Sequence, residues 1–331
     1  MPSDRRAVTA HPLTCPRRIR GVDGHPRRRR ADETALTLDG KTLGLHTRTF
    51  STSVGPIVVH AGLRVGETAT LLLHGAAGSW TTWTPLLRAA ADAGAPLVDV
   101  VAVDLPGWGE SPFPDGGIDI GRIGAALEQV LGELGYNRWT LVGHSLGGFL
   151  ALDMATRWPD RVASVLLVSP SGPAVVDASR HPLRGLRTLP GLVGMRVAMG
   201  FLAALGAGGM PLVRLLHRFG LLRMLAAPLF AESSRIHGSV IDALAAEIRP
   251  RSFVDAARAA SRYDIRRWRA ITCPVRAVSG ERDVFVAPSD AARFAELIPD
   301  FTQTEMPAVG HFGAVERPAE VWRVVVSRVG V

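Results

Sequence analysis

The chain has 331 residues, 47% of them apolar, so it can bury a large core and its bulk is not a disordered polymer. Its formal charge of +8 is concentrated: residues 1–34 carry nine Arg against Asp4, Asp23, Asp32 and Glu33, and residues 178–231 carry seven Arg and no acid. This confines basic character to a tail and one internal segment and argues against a nucleic-acid partner, since no aromatic residue is interleaved with the tail arginines for base stacking.

Lys41 is the only lysine, and the Arg bias reads first as genome composition. Two cysteines, Cys15 and Cys273, do not make a disulfide framework. With no apolar run after the N-terminal Arg cluster to serve as an export signal, a reducing, cytoplasmic setting is the expectation. The charge-free stretch from Val197 to Val213 contains Gly200, Gly206, Gly208, Gly209 and Pro211. A spanning helix wants about 20 apolar residues, so this stretch reads as two short helices joined by a turn.

Residues 1–34 have no periodicity and read as an unstructured basic tail. From Thr42 to Phe50 and Ile57 to Leu63 the pattern suggests an antiparallel hairpin. Apolar runs at Ala69–Leu73, Leu97–Val103, Trp139–Val142 and Val162–Val168 then alternate with helical patterns at Trp80–Ala93, Ile118–Leu134 and Leu146–Trp158. Such alternation predicts an α/β fold, a mostly parallel sheet wound by right-handed crossovers. It lapses over residues 171–269, which are helical in pattern, with Leu-rich segments at Leu212–Leu225 and Val240–Ile248. It resumes with a strand at Val275–Ser279, a helix near Ser289–Leu297, a strand near Thr302–Met306 and a last helix at Pro318–Val329. The expected organisation is a tail (1–34), a core in two parts (35–170 and 270–331) and a helical lid (171–269) inserted between them.

Chemistry concentrates at the ends of the expected strands. Gly143-His144-Ser145-Leu146-Gly147 follows one strand and opens a helix. In a chain with 35 glycines the bare G-x-S-x-G pattern is weak, but at a strand–turn–helix junction it holds a serine in a strained, exposed conformation. The Leu146 N–H, at the helix N-terminus, then points toward the same spot. A serine hydroxyl needs a base beside it, and Gly310-His311-Phe312, after the last strand, supplies His311. His11 and His25 lie in the tail, His181, His217 and His237 in the lid, and His60 in the hairpin. His74 and His144 look like supports for their turns. An acid must fix the base's tautomer. Asp283 and Glu281 both follow Val275–Ser279, and Asp283 is preferred because a shorter side chain suits a fixed inward position. The loop His74-Gly75-Ala76-Ala77-Gly78-Ser79-Trp80 has small residues that let backbone approach a substrate, with the Ala76 N–H as second oxyanion donor. Gly75, Trp80 and His144 are expected to touch substrate.

These motifs resemble the α/β-hydrolase superfamily over about residues 36–331. The His-Gly loop (His74, Gly75, Ala76), an Asp-x-Pro-Gly-x-Gly-x-Ser stretch (Asp104, Pro106, Gly107, Gly109, Ser111), the elbow at Ser145 and the Asp283 then His311 pair stand in the family's order. The resemblance implies a lid-containing, esterase- or lipase-like serine hydrolase acting on a fairly apolar acyl substrate. Relatives that open epoxides or displace halide carry Asp where Ser145 stands, so those activities are disfavoured. The extended Gly-Gly-Gly-Pro loop and elbow Trp of proline iminopeptidases are absent. Hydrolysis of carbon–carbon bonds in ring-fission products remains open, as do cofactor-free haloperoxidase, lactonase, thioesterase and acyltransferase chemistry. So does a non-catalytic binding role on the same fold. The sequence shows no metal-binding motif and no dinucleotide fingerprint, so no cofactor is expected.

The lid is the least determined part. Arg180, Arg184 and Arg187 fall at helical spacings, as do Arg214 and Arg218, beside runs of Leu, Met, Phe and Val. Either the apolar face covers the cleft while the arginines face water, or the helices lie on an anionic lipid surface. Both readings place an apolar acyl pocket beneath residues 190–230, reached from Trp80.

Overall fold

The structure is a computed structural model and describes residues 32–329. The basic tail, apart from residues 32–34, and Cys15 therefore lie outside the described residues. Eight strands form one sheet in the order β1-β2-β4-β3-β5-β6-β7-β8. They are β1 (His46–Thr52), β2 (Gly55–Ala61), β3 (Thr68–Leu73), β4 (Val100–Val103), β5 (Arg138–His144), β6 (Val162–Val168), β7 (Val275–Gly280) and β8 (Phe301–Met306). The β1–β2 and β2–β4 pairs are antiparallel and the others parallel. The central strands are almost wholly buried, as near-continuous Val, Leu and Ala runs require of strands covered on both faces.

On one face pack α2 (Ile120–Glu133) and α3 (Leu146–Arg157), with Leu127, Leu131, Phe149 and Leu152 inaccessible to solvent. The other face is covered by α1 (Thr84–Asp92) and the last helix, with Trp83, Leu86 and Val321 equally buried. Strand-to-helix crossovers leave the loops with functional promise together at the C-terminal ends of the parallel strands.

Between β6 and β7 lies a helical insertion. It comprises α4 (Pro173–Arg180), α5 (Pro182–Thr188), α6 (Pro190–Ala204), α7 (Gly209–Arg218), α8 (Leu221–Ala226), α9 (Gly238–Glu247) and α10 (Pro250–Arg262). Beyond β7 come α11 (Asp290–Leu297), the short α12 (Gly313–Glu316) and α13 (Pro318–Val329). Hydrogen bonds fasten the two ends of the insertion to the core. The fully buried Asp290 accepts the Ala174 N–H at 2.8 Å, Glu247 accepts the Gly109 N–H at 2.8 Å, and the Ser252 hydroxyl donates to the Gly107 carbonyl at 2.9 Å.

Three local expectations change. The strand expected over Leu97–Val103 begins at Val100, because Asp99 turns the chain with φ 51° and its carboxylate accepts the Val65 and Gly66 N–H groups. The Leu212–Leu225 periodicity is not one helix, since Gly220 (φ 72°) ends α7 and starts α8. Arg180 does not share a helix with Arg184 and Arg187. His181-Pro182 breaks the chain there, and the Arg180 guanidinium donates to the Ser261 and Tyr263 carbonyls.

Candidate active site

Ser145 stands between β5 and α3 with φ 51° and ψ −115°, a conformation L-residues rarely adopt. Backbone bonds over-determine it: its N–H donates to Val168, and its carbonyl accepts from Phe149 and Ser171. The flanking glycines are needed for contact. A Cβ on Gly143 would lie 2.5 Å from the Gly148 Cα, and one on Gly147 would strike the Leu73 carbonyl, all backbone that cannot yield. Ser145 remains partly accessible while its neighbours are buried. Leu146 occupies the first turn of α3, where N–H groups have no intrahelical acceptor.

The His311 Nδ1 lies 2.9 and 3.0 Å from the two Asp283 oxygens, with both side chains almost fully buried. Burial alone would raise the Asp283 carboxyl. The charge and hydrogen bond of His311 and the Phe285 N–H outweigh it and hold that carboxyl below the usual carboxylate range. An ionised Asp283 can only accept, so Nδ1 carries the proton and Nε2 presents its lone pair. Glu281, the rival acid, is exposed and accepts the Ala308 N–H at 3.1 Å instead.

His144 is not placed as a substrate contact. It is fully buried, and burial together with the neighbouring His311 pushes its imidazole down to about 3, so it is neutral. Its Nε2–H donates to the His311 carbonyl at 2.9 Å, making it a brace between the elbow and the base. Gly75 is likewise a packing position: a Cβ there would lie 2.8 Å from the His144 Nδ1 and 2.9 Å from the Ser145 Cβ. Trp80 is a core residue. It is buried, stacks on His60 at 4.2 Å, and its N–H donates to Asp104. Ala76 and Ala77 are the partly accessible residues of that loop, in a turn closed by the Gly78 N–H on the Gly75 carbonyl. The His74 ring supports it by donating Nδ1–H to the Gly75 carbonyl and accepting the Leu105 N–H at Nε2.

The insertion packs directly over this end of the sheet. The His311 N–H donates to the Leu229 carbonyl at 2.8 Å, and Phe230 stacks on Phe312 with centroids 5.3 Å apart. Phe285 meets the His311 ring edge-to-face at 4.8 Å. The ceiling is thus aromatic, and Trp80, expected at the substrate entrance, is buried in the core. Two surface clefts, of about 560 and 370 Å³, are lined by neither Ser145 nor His311.

Sequence reasoning passes over Glu316. Its Oε1 accepts the Gly310 N–H at 3.0 Å and its Oε2 the Ala231 N–H at 2.8 Å, stapling the His311 loop to the insertion. Burial raises its carboxyl despite those N–H donors. An acid five residues after His311, in the following helix, is the one sequence signal for it. Among the described residues, His60, Asp104 and Glu110 bring ligand-type atoms within 4.8 Å of one another. Both Asp104 oxygens are taken by the Trp80 and Glu110 N–H groups, which makes the cluster a brace for its loop.

Comparison with known proteins agrees with this architecture. The chain is 37% identical over 107 residues to the dihydrolipoyllysine-residue acetyltransferase component of the acetoin cleaving system of Cupriavidus necator, covering 32% of this chain and 28% of that protein. It is 30% identical over 125 residues to 2-hydroxy-6-oxo-6-phenylhexa-2,4-dienoate hydrolase of Comamonas testosteroni, covering 37% and 43%. The matched stretch thus spans under half the length of either relative. The solved structure of the epoxide hydrolase CorEH superposes with a TM-score of 0.67 at 19% identity, covering 86% of this chain and 98% of that one, a likeness of fold alone. The model of the alpha/beta hydrolase family matches residues 70–324, and the chain belongs to that family.

Proposed function

We propose that this hydrolase cleaves a carboxylic ester, or a related acyl bond, of a fairly apolar small molecule through an acyl-enzyme. The observation that carries the reading is the buried His311–Asp283 pair at the strand ends, whose loop His144 ties to the strained elbow that carries Ser145. Ser145 Oγ attacks the acyl carbonyl as the His311 Nε2 takes its proton, and the imidazolium so formed faces the Asp283 carboxylate. The Ala76 and Leu146 N–H groups receive the oxyanion, with the N-terminus of α3 adding its dipole. His311 returns the proton to the leaving alcohol, and water repeats the sequence to release the acid. Residues 171–269 act as a lid, and Leu229, Phe230, Phe285 and Phe312 make an apolar acyl environment. Ser145 argues against the aspartyl-ester route of epoxide opening, whatever the likeness of fold.

The relative that hydrolyses a ring-fission product supports a second reading, carbon–carbon cleavage of a vinylogous diketone. One experiment addresses both. A fluorophosphonate probe should label the protein at Ser145. A series of p-nitrophenyl esters of increasing acyl length, run beside a ring-fission diketone, then identifies the bond broken. Labelling with turnover of the diketone alone would replace the ester reading. No labelling would remove the serine hydrolase reading altogether.

A further inference from the structure

Helix α6 is apolar on both faces. It turns Leu192, Val193 and Met199 inward, while Val197, Phe201 and Leu205, four residues apart, stand 68%, 59% and 41% exposed. A helix that only covers a cleft carries polar residues on its outer side. The pattern continues through α7 and α8: Phe219, between the two helices, and Met224, in α8, are 69% and 66% exposed. Of the fourteen large apolar side chains most open to solvent among the described residues, ten fall between residues 183 and 225. Soluble proteins seldom leave such a cluster bare without a partner.

The charges on the same segment are equally one-sided. Arg180, Arg196 and Arg223 are folded inward onto backbone carbonyls: Arg196 onto Ser179 at 3.0 Å, Arg223 onto Ser233 and Ile236 at 2.8 and 2.9 Å. Arg184, Arg187, Arg214 and Arg218 are exposed and have no carboxylate partner among the described residues. Residues 178–231 contain no acid that could compensate them. A second copy of this chain docked through the same face would therefore oppose arginine with arginine. A bilayer bearing anionic headgroups offers both an apolar interior and the missing negative charge.

We propose that the outer face of α5–α8 is a docking surface for an anionic lipid bilayer. Val197, Phe201, Leu205, Phe219 and Met224 enter the boundary between headgroups and acyl chains, and the four free arginines meet lipid phosphates. The contact is peripheral. No single helix among the described residues is long and apolar enough to cross a membrane, and α6 together with the following stretch to Arg218 bends by 116°. The readout is binding, so it stands or fails independently of Ser145 chemistry.

The test is co-sedimentation of the full chain with vesicles of phosphatidylcholine alone and of phosphatidylcholine mixed equally with phosphatidylglycerol, at low and high salt. Light scattering gives the oligomeric state alongside. The protein should pellet with the anionic vesicles, and less so as salt rises. Arg214→Gln with Arg218→Gln should weaken partitioning roughly 30-fold at low salt. Phe201→Ser with Phe219→Ser should abolish it while leaving the thermal unfolding midpoint in place. A natural chain that stays in the supernatant with both vesicle types overturns the proposal. So does equal pelleting with both vesicles and no salt effect. A concentration-dependent dimer that Phe201→Ser with Phe219→Ser dissolves would assign the face to a second copy and equally overturn it.

Discussion

The strand-end loops and helices α5–α8 adjoin each other, yet they treat polarity in opposite ways. In the loops, charge is buried and specifically partnered: Asp283 is held by His311 and the Phe285 N–H, Glu316 by two backbone N–H groups, and Asp104 by two more. In α5–α8, apolar side chains are exposed and arginines stand without acids. A buried charge must be matched or it destabilises the fold, so the loops are over-determined by the protein itself. An exposed apolar side chain is tolerated at little cost, so folding alone does not require the apolar character of the outer face of α5–α8, which the proposed lipid contact would use.

The largest test of the first half of that comparison is Ser145. Ser145→Ala should lower turnover by several orders of magnitude, measured on whichever substrate the screen identifies. Ser145→Gly should be as inactive yet more stable. The elbow conformation costs a non-glycine residue of order 1–3 kcal/mol, and glycine's flexibility takes back roughly 0.5–1 kcal/mol. Urea unfolding of the two variants reads the difference. An active Ser145→Ala protein would mean that another group attacks.

Next is the acid. Asp283→Asn should cost roughly four orders of magnitude in turnover, because an amide no longer fixes the tautomer of His311. Glu281→Gln should change it less than about twofold, as expected for an exposed side chain away from the imidazole. The pH dependence has a definite sign. Asp283 titrates lower in the folded chain than in the unfolded one, so its contribution to stability is present above the ordinary carboxylate range, about pH 4. It is lost as pH falls through the lowered value. Asp283→Asn should therefore flatten the loss of stability in acid, seen by unfolding at stepped pH. An unchanged acid limb would show that other carboxylates dominate.

Glu316 sits at the seam of the two regions, and its effect should be smaller. Both of its oxygens accept a backbone N–H, so Glu316→Gln can keep only one bond and turns a donor toward the other. Loss of one buried partner costs about 1–3 kcal/mol. Because the loosened strap carries His311, kcat should fall about tenfold with KM little changed. A purely structural role would lower the unfolding midpoint and leave kcat per folded molecule intact.

How much of this is readable without coordinates follows from the reach of each interaction. The strand–helix alternation is local and periodic, so the mostly parallel sheet and the helical insertion are legible, whereas the order of the strands is set by long-range pairing and is not. The loop carrying Asp283 is legible too, because the Gly280 turn and the short acid are three residues apart. Trp80 is misread because the ring that buries it, His60, comes from β2, twenty residues earlier. Glu316 is hidden because its partner Ala231 is 85 residues away. Arg180 misleads because a helical spacing of arginines cannot register the break at His181-Pro182. Nor does sequence periodicity distinguish the two apolar faces of α6, since it reports hydrophobicity and not which side is covered.

That last point gives the smallest and most discriminating test. Met199 and Phe201 lie two residues apart on α6, so they face different sides of one helix. Met199 is 6% exposed and Phe201 is 59% exposed. If stability alone placed apolar residues on α6, both positions would contribute. Met199→Ala should cost about 2–5 kcal/mol through lost contacts and the cavity left behind. Phe201→Ser should stay within about 0.5 kcal/mol, as surface substitutions do, even though it removes the larger side chain. Chemical denaturation of both variants measures this directly. If Phe201→Ser is as destabilising as Met199→Ala, the outer face is packed against the chain's own residues and nothing is left there for a lipid surface to cover. If it is neutral, folding does not account for a phenylalanine at that position, and the side chain is free for the proposed lipid contact.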